Sequence, residues 1–187
     1  MDQAITAEQH PVEIQLSVRA AGSHARDSEK PGDAAQSVGE QDWLALLSKA
    51  TCEIFEVMLG TSLTVSPEPR PQVIPDFAAM VGIAGGLCGL VSIRTTADVA
   101  RQIAAKMLGD EAGAAEAAPD AFGEVCNMIA GSFKGRIEGL SDVCALSVPT
   151  VIFGKDFTMF SLARGRHFEL NFLFEGGNLT VSFGLHA

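Results

Sequence analysis

A charge-free stretch of seventeen residues, Phe77 to Ile93, constrains the fold more than any other feature of the chain. A membrane-spanning helix needs about 20 consecutive apolar residues. This stretch is shorter, and four glycines interrupt it. The central Gly85-Gly86 pair divides it into two segments of strand length, and adjacent glycines favour a turn. We therefore predict a buried β-hairpin with strands at about 77–84 and 87–94, and no membrane span.

Three further segments show the helical spacing of apolar residues, in steps of three and four positions. The first helix is predicted over 42–59, and the second runs from Thr96 or Asp98 through Met107. A glycine follows each of them, in a position that commonly ends a helix. The third helix is predicted over 119–138, because a proline at its start suits the first turn.

After these helices the hydrophobic pattern changes to that of short strands. Seven of the eleven phenylalanines lie in 151–187, where we expect them to cover one face of a sheet against the helices. The order of elements predicts an α+β fold, with a mainly antiparallel sheet packed against about three helices. A tight turn is expected at 176–178. The predicted strands are 143–153, 156–163, 167–174 and 179–185.

The first part of the chain differs from the rest in composition. We interpret residues 1–41 as an acidic N-terminal tail or linker and residues 42–187 as the folded domain. Apolar and polar residues alternate over 12–18, which indicates a short strand, and whether it joins the sheet is left open. The segment 20–40 is rich in small and acidic residues and is expected to be mobile. No basic and apolar leader stands at the start, so we expect a cytoplasmic protein.

Charge and cysteine content exclude several classes of function. The net charge is −10, and no short window is rich in lysine or arginine, so nucleic-acid binding is not expected. An acidic surface suits partners that are neutral, are basic or expose a lysine. The four cysteines are scattered, with no CxxC pair and no matching histidine spacing. They are interpreted as reduced, buried residues rather than metal ligands.

The third predicted helix has two different faces when it is turned at about 100° per residue. The face expected to pack on the core consists of Phe122, Val125, Cys126, Ile129, Phe133 and Ile137. The opposite, polar stripe consists of Asp120, Glu124, Asn127, Gly131, Lys134 and Glu138.

Glycines in and beside this polar stripe need an explanation, because glycine costs roughly 1 kcal/mol relative to alanine inside a helix. Gly123, Gly131 and Gly135 would leave room for the backbone of another molecule. Asn127 is also a mediocre helix former, and nothing local obviously needs its amide. A cost without a structural gain indicates a functional use.

Glu124 and Asn127 are three residues apart and are expected to project side by side. A carboxylate can pair with a lysine of a partner, and a carboxamide can hold a water molecule. Together they could dock on a charged site and position water for in-line attack, which is most of what phosphoryl hydrolysis requires. The alternative is an ordinary solvated helix face, since Glu-x-x-Asn occurs by chance in many helices.

Five segments in collinear order carry a resemblance to a known family. One is the helix signature Asp120, Glu124 and Asn127, with three and two residues between them. The others are Phe55–Gly60, the glycine-rich Gly82–Val91, Lys106–Gly109 and Pro149–Gly154. In this order they resemble the CheX/CheC/FliY family of chemotaxis phosphatases, and the CheX branch in particular, over roughly residues 42–187.

The resemblance implies dephosphorylation of a phosphorylated CheY-like response regulator. Glu124 would pair with a lysine of the regulator's active site, and Asn127 would orient the water that attacks the phosphoaspartate. The family also implies a homodimer and no cofactor in this chain, because the magnesium belongs to the regulator. The remaining residues expected to contact the partner are Asp120, Gly123, Gly131 and Lys134.

Two other interpretations use the same helix. A non-catalytic CheX-like module could bind a receiver domain or scaffold a signalling complex through this face. A metal hydrolase built on Asp120 and Glu124 is disfavoured, because it lacks a histidine or a third converging acid. The first helix offers only Glu53-Ile-Phe-Glu56, which lacks the amide, so the two-site arrangement of CheC and FliY is not met.

Overall fold

The computed structural model describes residues 40–66, 74–138, 142–155, 157, 159 and 165–186. Almost all of the predicted tail 1–41, its strand at 12–18 and most of the predicted strand 156–163 lie outside these residues. The described elements are α1 (Glu40–Leu59), β1 (Thr64–Val65), β2 (Phe77–Gly85), β3 (Gly89–Thr95), α2 (Ala97–Leu108), α3 (Ala114–Gly135), β4 (Cys144–Leu146), β5 (Thr150–Phe153), β6 (His167–Phe174) and β7 (Gly177–Leu185).

The strands form one sheet in which every pair is antiparallel. The order is β1-β6-β7-β3-β2, and β4 and β5 both pair with the free edge of β2. Helix α1 packs against β6 and β7, and α3 packs against β2 and β5. The predicted α+β fold, with a mainly antiparallel sheet and three helices, is confirmed.

The hairpin predicted from the charge-free stretch is formed by β2 and β3, with Phe77 paired to Thr95. Gly85 ends β2 with a φ of 130°, and a Cβ at this position would collide with the carbonyl oxygen of Val143. Glycine is therefore needed where the chain entering β4 approaches the turn of the hairpin. Of the helices that the structure describes, none combines the length and apolarity that a bilayer crossing requires.

Sequence signals identify three helix ends correctly. Thr96 caps α2, because its hydroxyl accepts a hydrogen bond from the backbone N–H of Val99 at 3.5 Å. Gly60 follows α1 and Gly109 follows α2, and both have the left-handed conformation, with φ of 60° and 71°.

The boundaries predicted for the third helix are wrong. Helix α3 begins at Ala114, five residues before Pro119, because the alanine-rich segment between them favours helix. Pro119 removes only the hydrogen bond to the carbonyl of Ala115, which is an exposed residue and can be hydrated. The helix ends at Gly135 rather than 138, since tighter backbone bonds from Arg136 and Ile137 close its last turn.

The single strand predicted over 143–153 is interrupted by a bulge. Residues on both sides of the interruption remain paired with β2. Between those pairs, two residues of β2 face three residues of the segment that links β4 to β5, which are Ser147, Val148 and Pro149. One extra residue on one side of an antiparallel pair is a β-bulge. Proline lacks the N–H that a continuous ladder needs, which explains why regular pairing stops here.

Two smaller features also differ from the prediction. Strand β1 pairs with β6 but was not predicted, because two residues carry no periodicity.

The turn between β6 and β7 lies at Glu175 and Gly176 rather than at 176–178. Both residues have positive φ, 48° and 82°, as a two-residue hairpin turn with the favoured twist requires.

The core lies between the helices and one face of the sheet. Trp43 of α1 is fully buried there, and it contacts Phe133 of α3, Phe168 of β6 and Phe183 of β7. The ring centroids are 5.4 to 6.1 Å apart, within the range of favourable aromatic contacts. This aromatic cluster joins α1, α3 and the sheet.

Candidate functional site

Helix α3 lies with its apolar face against the sheet. Five residues of that face are fully buried within the helix: Phe122, Val125, Cys126, Ile129 and Phe133. The predicted core face of this helix is therefore confirmed. Because their burial fixes the rotation of the helix about its axis, the stripe on the opposite side must face outward.

The polar stripe is accessible to different degrees along its length. Asp120 and Glu124 are exposed, whereas Asn127, Gly131 and Lys134 are partly buried. The carboxylate of Glu124 is therefore open to solvent, whereas the amide of Asn127 is partly covered by neighbouring residues.

Glu124 and Asn127 are not engaged by the described part of the chain. Neither side chain makes a hydrogen bond or an ion pair with any described residue. Their spacing of three residues places both on one face of the helix, so a single partner could contact both. The asparagine has no local hydrogen bond that would explain its presence in mid-helix.

Gly123 is required by packing inside the chain, whereas its sequence position suggested only room for a partner. It is buried, and a Cβ built on it would lie 3.0 Å from Cγ2 of Val151 and 3.6 Å from Cβ of Pro149. Glycine therefore lets the bulge and β5 approach the helix directly beside Glu124. The sequence signal that could have revealed this neighbour was Pro149, within an otherwise regular strand pattern.

Lys134 also makes a contact within the chain. Its Nζ donates a hydrogen bond to the backbone carbonyl of Cys144 at 2.9 Å, which joins the last turn of α3 to β4. Gly131 is more open, since a Cβ there would meet only Cδ1 of Leu146, at 3.9 Å. Of the four residues predicted to assist partner binding, Asp120 and Gly131 are thus placed where a partner could touch them directly.

Helix α1 lies beside α3, but one of its glutamates, Glu53, is paired within the chain. Glu53 forms an ion pair with Arg136, just after the end of α3. Two residues so distant in sequence carry no local signal, so this pair cannot be read from the sequence. Glu56 is exposed and occupies the position where an amide would complete the Glu-x-x-Asn spacing from Glu53.

Cys126 lies between Glu124 and Asn127 in sequence, but it is on the opposite face of the helix. It is fully buried, and burial raises the pKa of its thiol to about 12. At neutral pH the thiol is therefore protonated and is not a nucleophile. A cysteine-based mechanism at this residue is excluded.

No group of three or more potential metal ligands occurs among the residues that the structure describes. Asp120 and Glu124 accordingly have no third histidine, cysteine or carboxylate beside them there. The metal-hydrolase interpretation gains no support from this geometry.

The family model described as chemotaxis phosphatase CheX matches residues 77–173, which is more than half of the chain. No curated protein matches the chain. Solved structures do share the fold. CheX from Vibrio vulnificus has a TM-score of 0.67 and 21% identity, covering 78% of this chain and 99% of that one.

Two further structures agree over the same extent, again 78% of this chain and 99% of the other. CheX from Desulfovibrio desulfuricans has a TM-score of 0.65 and 26% identity. CheX from Borrelia burgdorferi, solved in a complex with CheY, BeF3 and Mg2+, has a TM-score of 0.66 and 22% identity. The fold is thus that of the CheX/CheC-like chemotaxis proteins. Within that class, the match to the family model shows that the chain belongs to the CheX family.

Proposed function

We propose that this protein accelerates hydrolysis of the phosphoaspartate of a CheY-like response regulator. The observation that carries the proposal is the outward-facing pair of Glu124 and Asn127, which the described part of the chain does not engage. Membership of a family described as a chemotaxis phosphatase supports the same activity. Further support is that B. burgdorferi CheX, which has the same fold, was solved with CheY, BeF3 and Mg2+.

Glu124 is proposed to dock the regulator. Its carboxylate is exposed and has no cation beside it in the described structure, so it can pair with a lysine of the partner. The neighbouring carboxylate of Asp120 adds negative potential at the same end of the stripe and would attract a basic surface. This role concerns binding rather than chemistry.

Asn127 is proposed to orient the attacking water. Its partial burial restricts the motion of the amide, which suits a group that must hold a water in one position. The amide oxygen accepts a hydrogen bond from the water, whose lone pair then points at phosphorus. The new bond joins the water oxygen to phosphorus, and the bond from phosphorus to the aspartate oxygen breaks. The products are the free carboxylate and inorganic phosphate, with the proton released to phosphate or solvent.

The remaining parts of the proposal follow from the family. Mg2+ is expected on the regulator, with no cofactor in this chain, and a cytoplasmic homodimer is expected. Asp120 and Gly131 are proposed to contact the partner directly. Gly123 and Lys134 would act on partner binding through the positions of β4, β5 and the bulge, given their contacts within the chain.

The test is the decay of a phosphorylated regulator with and without the full chain. A panel of CheY-like regulators is phosphorylated with acetyl phosphate, the donor is removed, and the phosphorylated fraction is followed over time. We expect the decay rate of the cognate regulator to rise with protein concentration to a plateau. If every regulator that binds decays at its intrinsic rate at saturating protein, the non-catalytic binding module is the correct interpretation.

A further inference from the structure

The bulge between β4 and β5 exposes an apolar side chain beside the candidate site. Val148 is 83% exposed, the highest value among the large hydrophobic residues that the structure describes. Its neighbour Pro149 packs where Gly123 leaves space, and Gly123 directly precedes Glu124. The bulge and the first half of the polar stripe therefore form one continuous surface.

The backbone that carries Val148 is fixed rather than loose. The N–H of Ser147 donates to the carbonyl of Gly82 at 2.9 Å, and the N–H of Gly82 donates back to the Ser147 hydroxyl at 2.9 Å. The same hydroxyl donates to the carbonyl of Val148 at 2.8 Å. A backbone held in this way loses little further freedom on binding, which favours affinity. Bulges often re-aim side chains next to active sites.

We propose that this bulge is a second docking element for the receiver domain, with Val148 as an apolar contact next to the charged contact of Glu124. The inference rests on the proposed function and names a further part of the partner's footprint. The partner surface would then carry an apolar side chain close to its active-site lysine. Interfaces commonly combine an apolar anchor with a charged rim in this way.

Charge favours the regulator over a second copy of this chain as the occupant. Asp120 and Glu124 are exposed acids without an ion-pair partner among the described residues. A two-fold interface centred on this surface would bring the two copies of the acidic patch together. A partner with a lysine at this position would instead be attracted.

The test compares Val148→Ser with Val57→Ser in the full chain. Val57 is a matched control, because it is 72% exposed but lies on α1. Both variants are titrated against the phosphorylated regulator, and their binding to the BeF3-activated regulator is measured separately. We expect Val148→Ser to raise the half-saturating concentration and the dissociation constant about five- to tenfold, as loss of an interface anchor does. The plateau rate should not change, and Val57→Ser should behave as the original protein.

Each other outcome has a definite meaning. If the original protein accelerates decay and Val148→Ser matches it, or if both variants weaken binding equally, the docking role of Val148 is wrong and the proposed function stands. If light scattering shows that Val148→Ser alone changes self-association, the surface is an interface between copies and the inference is overturned. If the original protein binds the regulator without accelerating decay, and Val148→Ser still weakens that binding, the docking surface is retained and the phosphatase activity is rejected. Neither binding nor acceleration with any regulator would reject both.

Discussion

Helices α1 and α3 pack against each other and against the same sheet, yet their exposed surfaces offer different chemistry. On α1, Glu53 is bound to Arg136, and a second glutamate, Glu56, stands three positions later. On α3, Glu124 is followed at the same spacing by Asn127, and the described residues engage neither. The two helices thus share a supporting role in the fold, and among their described side chains only those of α3 combine an available acid with an amide.

The two helices thus present a glutamate in two settings, paired within the chain on α1 and without a described partner on α3. A carboxylate already paired within the chain must lose that partner before it can bind another, and the competing contact lowers the net gain. An unpaired carboxylate on a helix whose rotation is fixed by burial has no such competitor. Matched substitutions on the two helices test whether this difference between α1 and α3 decides activity.

The largest effect is expected from Asn127→Ala. In the proposed mechanism, removal of the amide leaves the attacking water without its orienting group, and misplacement at a reacting centre costs on the order of 10²-fold in rate. We expect the plateau decay rate of the phosphorylated regulator to fall nearly to its intrinsic value. Binding to the BeF3-activated regulator should be largely unchanged, and a variant that keeps most of the acceleration would remove Asn127 from the mechanism.

The next effect is expected from Glu124→Lys, with Glu56→Lys as its control on α1. Both variants change the net charge equally, and both residues are exposed. Only the first would place a cation against the lysine of the regulator. We expect roughly a tenfold or greater rise in half-saturating concentration for Glu124→Lys, smaller at high salt. An equal rise in Glu56→Lys would mean that overall charge, rather than the α3 site, governs binding.

A smaller effect, on stability, is expected from two glycines within α3. Gly135→Ala has open space and should raise the free energy of unfolding by up to about 1 kcal/mol. In Gly123→Ala the new methyl group would press on Val151, so the same gain in helix propensity is offset or reversed. Urea unfolding of both variants measures the difference. Equal stabilisation would show that Gly123 has no packing role.

No effect is expected when the missing amide is supplied to α1. Glu56→Asn completes the Glu-x-x-Asn spacing from Glu53, but Glu53 is already paired with Arg136. In the Asn127→Ala background, Glu56→Asn should therefore leave the decay rate unchanged. Recovery of acceleration would show that spacing suffices and that the difference drawn between the two helices is wrong.

The features that sequence predicted well depend on local signals. The charge-free stretch forms the β2–β3 hairpin, because a pair of glycines divides it into two apolar segments of strand length. The apolar face of α3 is buried as predicted, because its residues repeat at steps of three and four. The outward direction of Glu124 and Asn127 follows from the same rotation. Their roles in catalysis stay predictions.

The features that sequence missed depend on contacts between distant segments. The three glycines of α3 look alike in sequence, but only Gly123 is packed against Val151. The helical pattern places Lys134 on the polar surface. It gives no sign that the ammonium of Lys134 donates a hydrogen bond to the carbonyl of Cys144. The bulge at Val148 is defined by the register with β2, and register cannot be read from one strand alone.

The aromatic cluster around Trp43 has a practical consequence for all of these measurements. Trp43 is the only tryptophan of the chain, and its indole is fully buried between α1, α3 and the sheet. Its fluorescence emission should therefore report the integrity of the core and respond little to changes on the exposed stripe. A surface variant with unaltered emission but altered activity has kept its core and lost a function of the exposed stripe, while one with red-shifted emission has lost its fold. The protein thus carries an internal reference against which each substitution can be judged.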